Sequence, residues 1–249
     1  MPTQSRAKVI RIADLKHACS SCSVRELCLP MGLDHDDLAR LDTIINRRQY
    51  VPAGQHLYRA RDRFQSLYAI RTGFFKTYDL SNEGGEQVSG FHMNGELMGL
   101  DAISSDAHAC NAVALENSEV CVIPFDQLEE LFHEVPMLQK HFHKIMSREI
   151  ATDHRLMMVL GTMTAEERLA SFLVNLSERQ TARGYSPAIL RLGMSREEIG
   201  NYLGLTLETV SRMFSGFQEN GLVQVERRNL AITNLAALRQ LAGCAGTTR

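Results

Sequence analysis

Between about residues 50 and 125, apolar and polar positions alternate in short runs. The runs are "VPAGQHLYRA", "QSLYAIRTGFFKTYDL", "EGGEQVSGFHM" and "CNAVALENSEVCVIPF", broken at Gly54, Gly73, Gly84, Gly85 and Gly95. Short alternating runs punctuated by glycine predict half-buried strands of an antiparallel sandwich or roll. After Pro136 the pattern changes. "PMLQKHFHKIMSREIATDHRLMMVLGTM" holds no glycine until Gly161 and repeats at a helical period. Gln139, His143, Met146, Ile150, Asp153, Met157 and Leu160 fall four and three apart in turn, as the two seam positions of a heptad do. The expectation is a long helix over 136–161 that pairs with its twin through Met146, Ile150, Asp153, Met157 and Leu160. Asp153 is out of place on such a seam, because in a parallel pair like charges would face each other and oppose association.

"TAEERLASFLVNLSER" continues as helix with apolar Leu169, Phe172, Leu173 and Leu176, and Thr164 with Glu167 has the spacing of a capping box. "RGYSP" closes it. A second capping box, Ser195 with Glu198, starts a short helix with an apolar face of Ile199, Tyr202 and Leu203, ended by Gly204. Thr206 caps the next helix, which runs toward Asn220 and Gly221. Two helices joined by a glycine-containing turn predict a helix-turn-helix. On the second helix Leu207, Val210, Phe214 and Phe217 should pack inward. Glu208, Ser211, Arg212 and Ser215 lie opposite, where a recognition helix meets bases. Arg212 suits guanine, Glu208 suits cytosine N4, and Ser211 is tolerant. Thr206 and Thr209 complete the candidate DNA-contacting set. The competing reading of Glu208 and Arg212 is a surface ion pair at i,i+4. "LVQVERRNLAIT" reads as a hairpin wing turning at Arg228–Asn229, with Arg227 and Arg228 available to phosphate.

Residues 1 to about 30 show no clear period but hold Cys19, Cys22 and Cys28 in the spacing C-x2-C-x5-C. The 249 residues are 44% hydrophobic and 22% charged, enough for two ordinary domains. No apolar run reaches membrane-spanning length, and no apolar core follows the early basic residues as in a signal peptide, so a cytoplasmic protein with reduced thiols is expected. The net charge of −2 decides nothing. Residues 161–249, with 10 Lys and Arg against 8 Asp and Glu, are mildly basic, which is compatible with nucleic acid. The histidines, including His92, His108, His133, His141 and His143, form no ligand or triad spacing, and no phosphate loop is present, so an enzyme is not expected.

The order of roll, long helix and winged helix-turn-helix resembles the catabolite-activator/FNR superfamily of bacterial transcription regulators, a helix-turn-helix example in general use. "ETVSR", residues 208–212, is similar to the recognition motif of the FNR branch, and "SLYAIRTG", "GFHMNGELMGLDAI", "ALENSEVCVIPF" and "IGNYLGLTLETVSR" share that likeness. The resemblance implies an α+β fold. A cysteine-rich segment (1–30) would precede a cyclic-nucleotide-binding-like β-roll (31–135), a dimerisation helix (136–161) and a winged helix-turn-helix (162–249). It implies a [4Fe-4S] cluster on Cys19, Cys22, Cys28 and Cys121, lost to oxygen, and no counterpart for Cys110 or Cys244, although Cys110 stays open as an alternative ligand. It further implies a homodimer on double-stranded DNA resembling TTGAT-N4-ATCAA, and RNA polymerase contacts at Thr72, Gly73, Arg183 and Ser186. Four thiolates also suit zinc, but structural zinc usually pairs two C-x2-C knuckles and here there is one. A zinc-stapled regulator without oxygen response is therefore the alternative. A cyclic-nucleotide regulator is a further one. Gly95-Glu96-Leu97 matches the ribose-contacting segment of that branch, but no Arg or Lys lies between Lys76 and Lys140 to meet a phosphate.

Overall fold

The computed structural model describes residues 19, 22–45, 47–81 and 84–243. Cys244 and the first 18 positions lie outside the described residues.

Eight antiparallel strands form two facing sheets. One has the order β1 (Arg47–Val51), β8 (Ser118–Pro124), β3 (Ser66–Thr72), β6 (Leu97–Met98). The other runs β2 (His56–Tyr58), β7 (Asn111–Ala114), β4 (Phe74–Leu80), β5 (Glu86–Met93). Between them Val51, Leu57, Ile70, Phe75, Met98 and Val120 form the roll's inner core. Gly73 makes the β3–β4 corner, since at φ 102° any Cβ there would collide with the Ser118 backbone 2.7 Å away.

Two helices frame this roll that the apolar period did not reveal. α1 (His35–Ile44) is capped by Asp34, which accepts from the Asp37 N–H, and buries only Leu38 and Leu41. α2 (Phe125–Glu134) buries Leu128, Leu131 and Phe132. α3 (Pro136–Thr162) is the expected long helix. Its inward face carries Leu138, His141, Phe142, Ile145 and Val159, and its other face leaves Ile150 and Met157 about 60% exposed (57% and 61%). A second core joins Cys28 and Leu29 to Leu41 of α1, Leu67 and Ile123 of the roll, and Leu138, Phe142 and Ile145 of α3. The cysteine segment and the first half of the long helix are therefore parts of one packed unit.

α4 (Ala165–Ala182) and α5 (Arg196–Leu203) each start on a complete capping box, Thr164/Glu167 and Ser195/Glu198. α5 ends on left-handed Gly204, and α6 (Leu207–Glu219) starts on Thr206. β10 (Val223–Glu226), β11 (Asn229–Ile232) and β9 (Ile189–Arg191) make a three-stranded wing in the order β10-β11-β9. α7 (Leu235–Leu241) closes the described chain. The expected wing turn at Arg228–Asn229 is corrected by one residue. Asn229 pairs with Glu226, so the turn is Arg227–Arg228, with Arg227 at φ 55° as tight hairpin turns require. The third core runs from Phe74, Tyr78, Phe91 and Met93 on the outer face of the roll into Leu169, Leu173, Ile199, Val210 and Phe214 of the helical part.

Candidate metal centre and nucleic-acid interface

Cys19, Cys22, Cys28 and Cys121 converge. A tight series of turns makes the local part: the Cys22 N–H donates to the Cys19 carbonyl, that of Arg25 to Cys22, and that of Cys28 to Val24. The Cys19 N–H donates to Asp42 Oδ1 at 2.6 Å, which moors the segment to α1. Cys121 arrives from mid-β8, paired with Arg48 on one side and Ala69 on the other. The thiols are near enough to repel one another as anions. Burial, then Asp42, then Cys28 and Cys121 raise the Cys19 thiol. Burial pushes Cys28 up to about 12, Cys121 and Cys22 adding to it. Burial also raises Cys121, with Cys22 adding and Arg48 and Arg71 opposing. Cys19, Cys28 and Cys121 are therefore thiols that burial holds protonated until a strong electrophile such as a metal takes the proton's place. Arg48 and Arg71 lie near enough to offset the anionic charge this creates, although Arg71 is already paired with Glu119.

The four thiols are not gathered on one point. Among the described residues no three His, Cys, Asp or Glu side chains are placed to hold a single metal ion. Cys110 lies apart from the four, in the bend that leads into β7, beside Asp101 and Tyr58, its thiol pushed up to about 12 by burial and the Asp101 charge.

Sequence reasoning did not assign several residues to this site. Asp42 sits in the last turn of α1, where a carboxylate opposes the helix dipole, and that misplacement was its one legible trace. Gly95, at φ 89°, allows the segment to dock: a Cβ there would stand 2.9 Å from Leu27 Cβ. His141 of α3 is 5% exposed with Nε2 unpartnered, and it meets the backbone of Cys28.

At the other end, α6 buries Val210, Phe214 and Phe217. Leu207 is 45% exposed, against expectation, because the first turn projects beyond the core. Glu208, Arg212 and Ser215 are exposed, with Ser211 half-buried beside them. Among the described residues no ion pair joins Glu208 to Arg212, so the surface-pair reading is not what the geometry forms. Thr206 Oγ1 accepts from the Thr209 N–H at 3.2 Å and meets the Thr209 hydroxyl at 3.1 Å, so both threonines shape the helix start.

The seam residues sit on one face of α3. Ile150, Asp153 and Met157 are exposed, Met146 and Leu160 half-buried. Thr72 and Gly73 line a groove of about 420 Å³ with Tyr185 and Arg191, and Ser186 is exposed nearby in sequence. Arg183 is different. Its side chain is 4% exposed and its guanidinium is bonded to Glu96, so the expected surface contact at Arg183 is corrected: that charge is turned inward.

Glu96 faces a cavity of about 550 Å³ between the roll, α3 and α4. Its lining includes Glu96, Asp101, Glu149 and Asp153 against one cation, Arg179, which already pairs with Glu96. Burial raises the Glu149 carboxyl to about 7, Glu96 and Asp153 adding to it. A phosphate would enter this space against four carboxylates with no free guanidinium to meet it.

Comparison with known proteins bears on both ends of the chain. A cyclic nucleotide-binding domain model matches residues 48–135, and a Crp-like helix-turn-helix domain model matches residues 167–241. The transcriptional activator protein Anr of Pseudomonas protegens is 47% identical over 225 residues, 90% of this chain and 92% of its own. The fumarate and nitrate reduction regulatory protein of Escherichia coli K12 is 46% identical over 225 residues, 90% of each. Among solved structures, FixK2 from Bradyrhizobium japonicum covers 80% of this chain and 98% of its own, with 28% identity and a TM-score of 0.74. With the roll, the long helix and the exposed reading face in place, this likeness over nine-tenths of the sequence puts the chain in the Crp/FNR family of DNA-binding transcription regulators, among the FNR and Anr proteins.

Proposed function

We propose that this regulator senses oxygen through a [4Fe-4S] cluster held by Cys19, Cys22, Cys28 and Cys121. The observation that carries the proposal is the convergence of Cys19, Cys28 and Cys121 at the core that also holds the first half of α3, with Cys22 close enough to act on Cys28 and Cys121. The donor set suits a cubane better than zinc. A structural zinc site usually pairs two C-x2-C knuckles, whereas here one knuckle, Cys28 and the remote Cys121 make up the set. When bound, the cluster supplies iron–thiolate bonds between the cysteine segment and β8 that oxygen can destroy.

The chain's own residues do the rest. Leu29 packs with Leu138 and Phe142, so a docked segment supports α3 from within. Supported α3 offers Met146, Ile150, Met157 and Leu160 to its twin, and Asp153 keeps that pairing weak, so that a bias of a few kcal/mol decides between monomer and dimer. A dimer places two copies of α6 about one DNA turn apart on a palindrome resembling TTGAT-N4-ATCAA, with Glu208, Ser211 and Arg212 toward the bases. The groove by Thr72 and Gly73, with Ser186 near it, is the face offered to RNA polymerase.

The test is the visible spectrum of protein purified without air, with iron and sulfide assayed. About four irons and four sulfides per chain, absorbance that bleaches in air, and their loss in Cys121→Ser support the reading. A colourless protein holding one zinc would overturn it and leave the DNA-reading half intact.

A further inference from the structure

Between β5 and β6 the turn Asn94–Gly95–Glu96 touches both ends of the molecule. Gly95 lies under the cysteine segment, with the positions of Leu27 and Val24 Cβ 2.9 and 3.7 Å from where its own Cβ would be. Its neighbour Glu96 faces the other way, into α4. Arg179 grips that carboxylate with two donors, Nε to Oε1 at 3.0 Å and Nη2 to Oε2 at 2.6 Å, and Arg183 adds Nη2 to Oε1 at 2.5 Å. The Met93 N–H donates to Oε2 at 3.0 Å. The same guanidiniums bind the roll's backbone: Arg179 Nη2 donates to the Phe91 carbonyl and Arg183 Nε to that of Asn94, both at 2.7 Å.

A second set of bonds ties α5 to β5. Asn201 accepts from the Val88 N–H, donates to the Glu86 carbonyl, and receives Gln87 Nε2 on its own carbonyl at 2.9 Å. Lys76 Nζ bridges Glu86 at 2.9 Å and Glu198 at 3.0 Å. α4 and α5 are thus fastened to the roll while Glu208 and Arg212 of α6 stay exposed. This docked arrangement is compatible with reading DNA.

We propose that Glu96 is a positioning residue for DNA reading: with Arg179 and Arg183 it fixes where the recognition helix stands relative to the roll, and its turn relays to that helix whether the cysteine segment is docked. The proposal rests on the functional reading above and adds a route that bypasses the α3 seam. It also gives the glutamate of the Gly-Glu-Leu segment an occupant from within the chain. The contact favours two discrete states, because a half-buried carboxylate held by two guanidiniums either keeps both or gives them up to water, with little between.

Glu96→Gln keeps the shape and removes the charge that makes these bonds strong. The experiment uses the full-length variant purified without air. It measures binding to the TTGAT-N4-ATCAA duplex and to duplexes with the gap longer or shorter by one base pair. The expected result is a roughly fivefold or greater loss on the parent duplex and a flattened gap preference, with visible spectrum and sedimentation as in the wild type. Asn201→Ala, which cuts the separate α5 contact, should flatten the gap preference too, and it keeps the test valid if Glu96→Gln fails to fold. Wild-type affinity and gap preference in the folded variants would overturn the proposal. Tighter binding would overturn it as well, because the docked domain would then be the non-reading one. If the wild-type protein itself ignores the palindrome, the functional reading fails and this inference falls with it.

Discussion

Glu208 and Arg212 stand one helical turn apart on the exposed side of α6, and Glu208 also bonds the Thr206 side chain at the helix start. Glu208→Ala should relax specificity at one base pair of each half-site, a discrimination of about 1–3 kcal/mol per good contact. Binding measured across single-base variants of the site checks this; an equal loss on every duplex would assign Glu208 to the helix start it shares with Thr206. Glu149 makes a different prediction. Burial, then the Glu96 and Asp153 charges, raise its carboxyl from 4.5 to about 7, with Arg179 partly offsetting them. A folded-state value above the unfolded one means the folded protein binds the extra proton. Stability from this group is therefore intact below pH 4.5 and is lost as pH rises through 7. Glu149→Gln should raise the melting temperature at pH 8 and leave it little changed at pH 5, with an upper limit of about 3 kcal/mol at the higher pH. Equal effects at both pH values would mean that the carboxyl's charge is already relieved.

Among the elements, α3 has two jobs on two faces. Leu138, Phe142 and Ile145 bind it to the cysteine segment's core, and Ile150, Asp153 and Met157 look outward. Asp153→Ala should strengthen dimers in air, read by sedimentation; an unchanged monomer would remove the charge from the seam account. Leu29→Ala, at a side chain with no exposure, should cost about 2–5 kcal/mol of stability. It should also weaken dimers, whereas Leu57→Ala, in the roll's separate inner core, should lower stability without that second effect. The helix of α3 was legible because its heptad period runs unbroken from Gln139 to Leu160. So were both capping boxes and the turn at Gly204, where local chemistry decides local structure. α1 was not, because it buries only Leu38 and Leu41 and leaves no period to count, and the three residues of β9 are too few to alternate. The Asp34–Asp37 cap was the available clue. Pairings across long stretches of chain were not legible either. Arg183 reads as a surface residue in "RGYSP", and Glu96, 87 positions away, is what turns it inward.

At the scale of the whole molecule, three cores are arranged in series. The cysteine segment shares one with α3, the roll keeps its own, and the roll's outer sheet shares the third with the DNA-reading part. Under the proposed function, holding or releasing the four thiols at one end would reach both the exposed face of α3 and the reading domain through these packed contacts. The FNR and Anr likeness covers nine-tenths of the sequence. The most direct test of the central claim is sedimentation of the protein purified without air, in the presence of the TTGAT-N4-ATCAA duplex, before and after exposure to oxygen. The account predicts a dimer on DNA that becomes free monomer as the visible absorbance bleaches. A complex of the same mass and affinity before and after oxygen would contradict it.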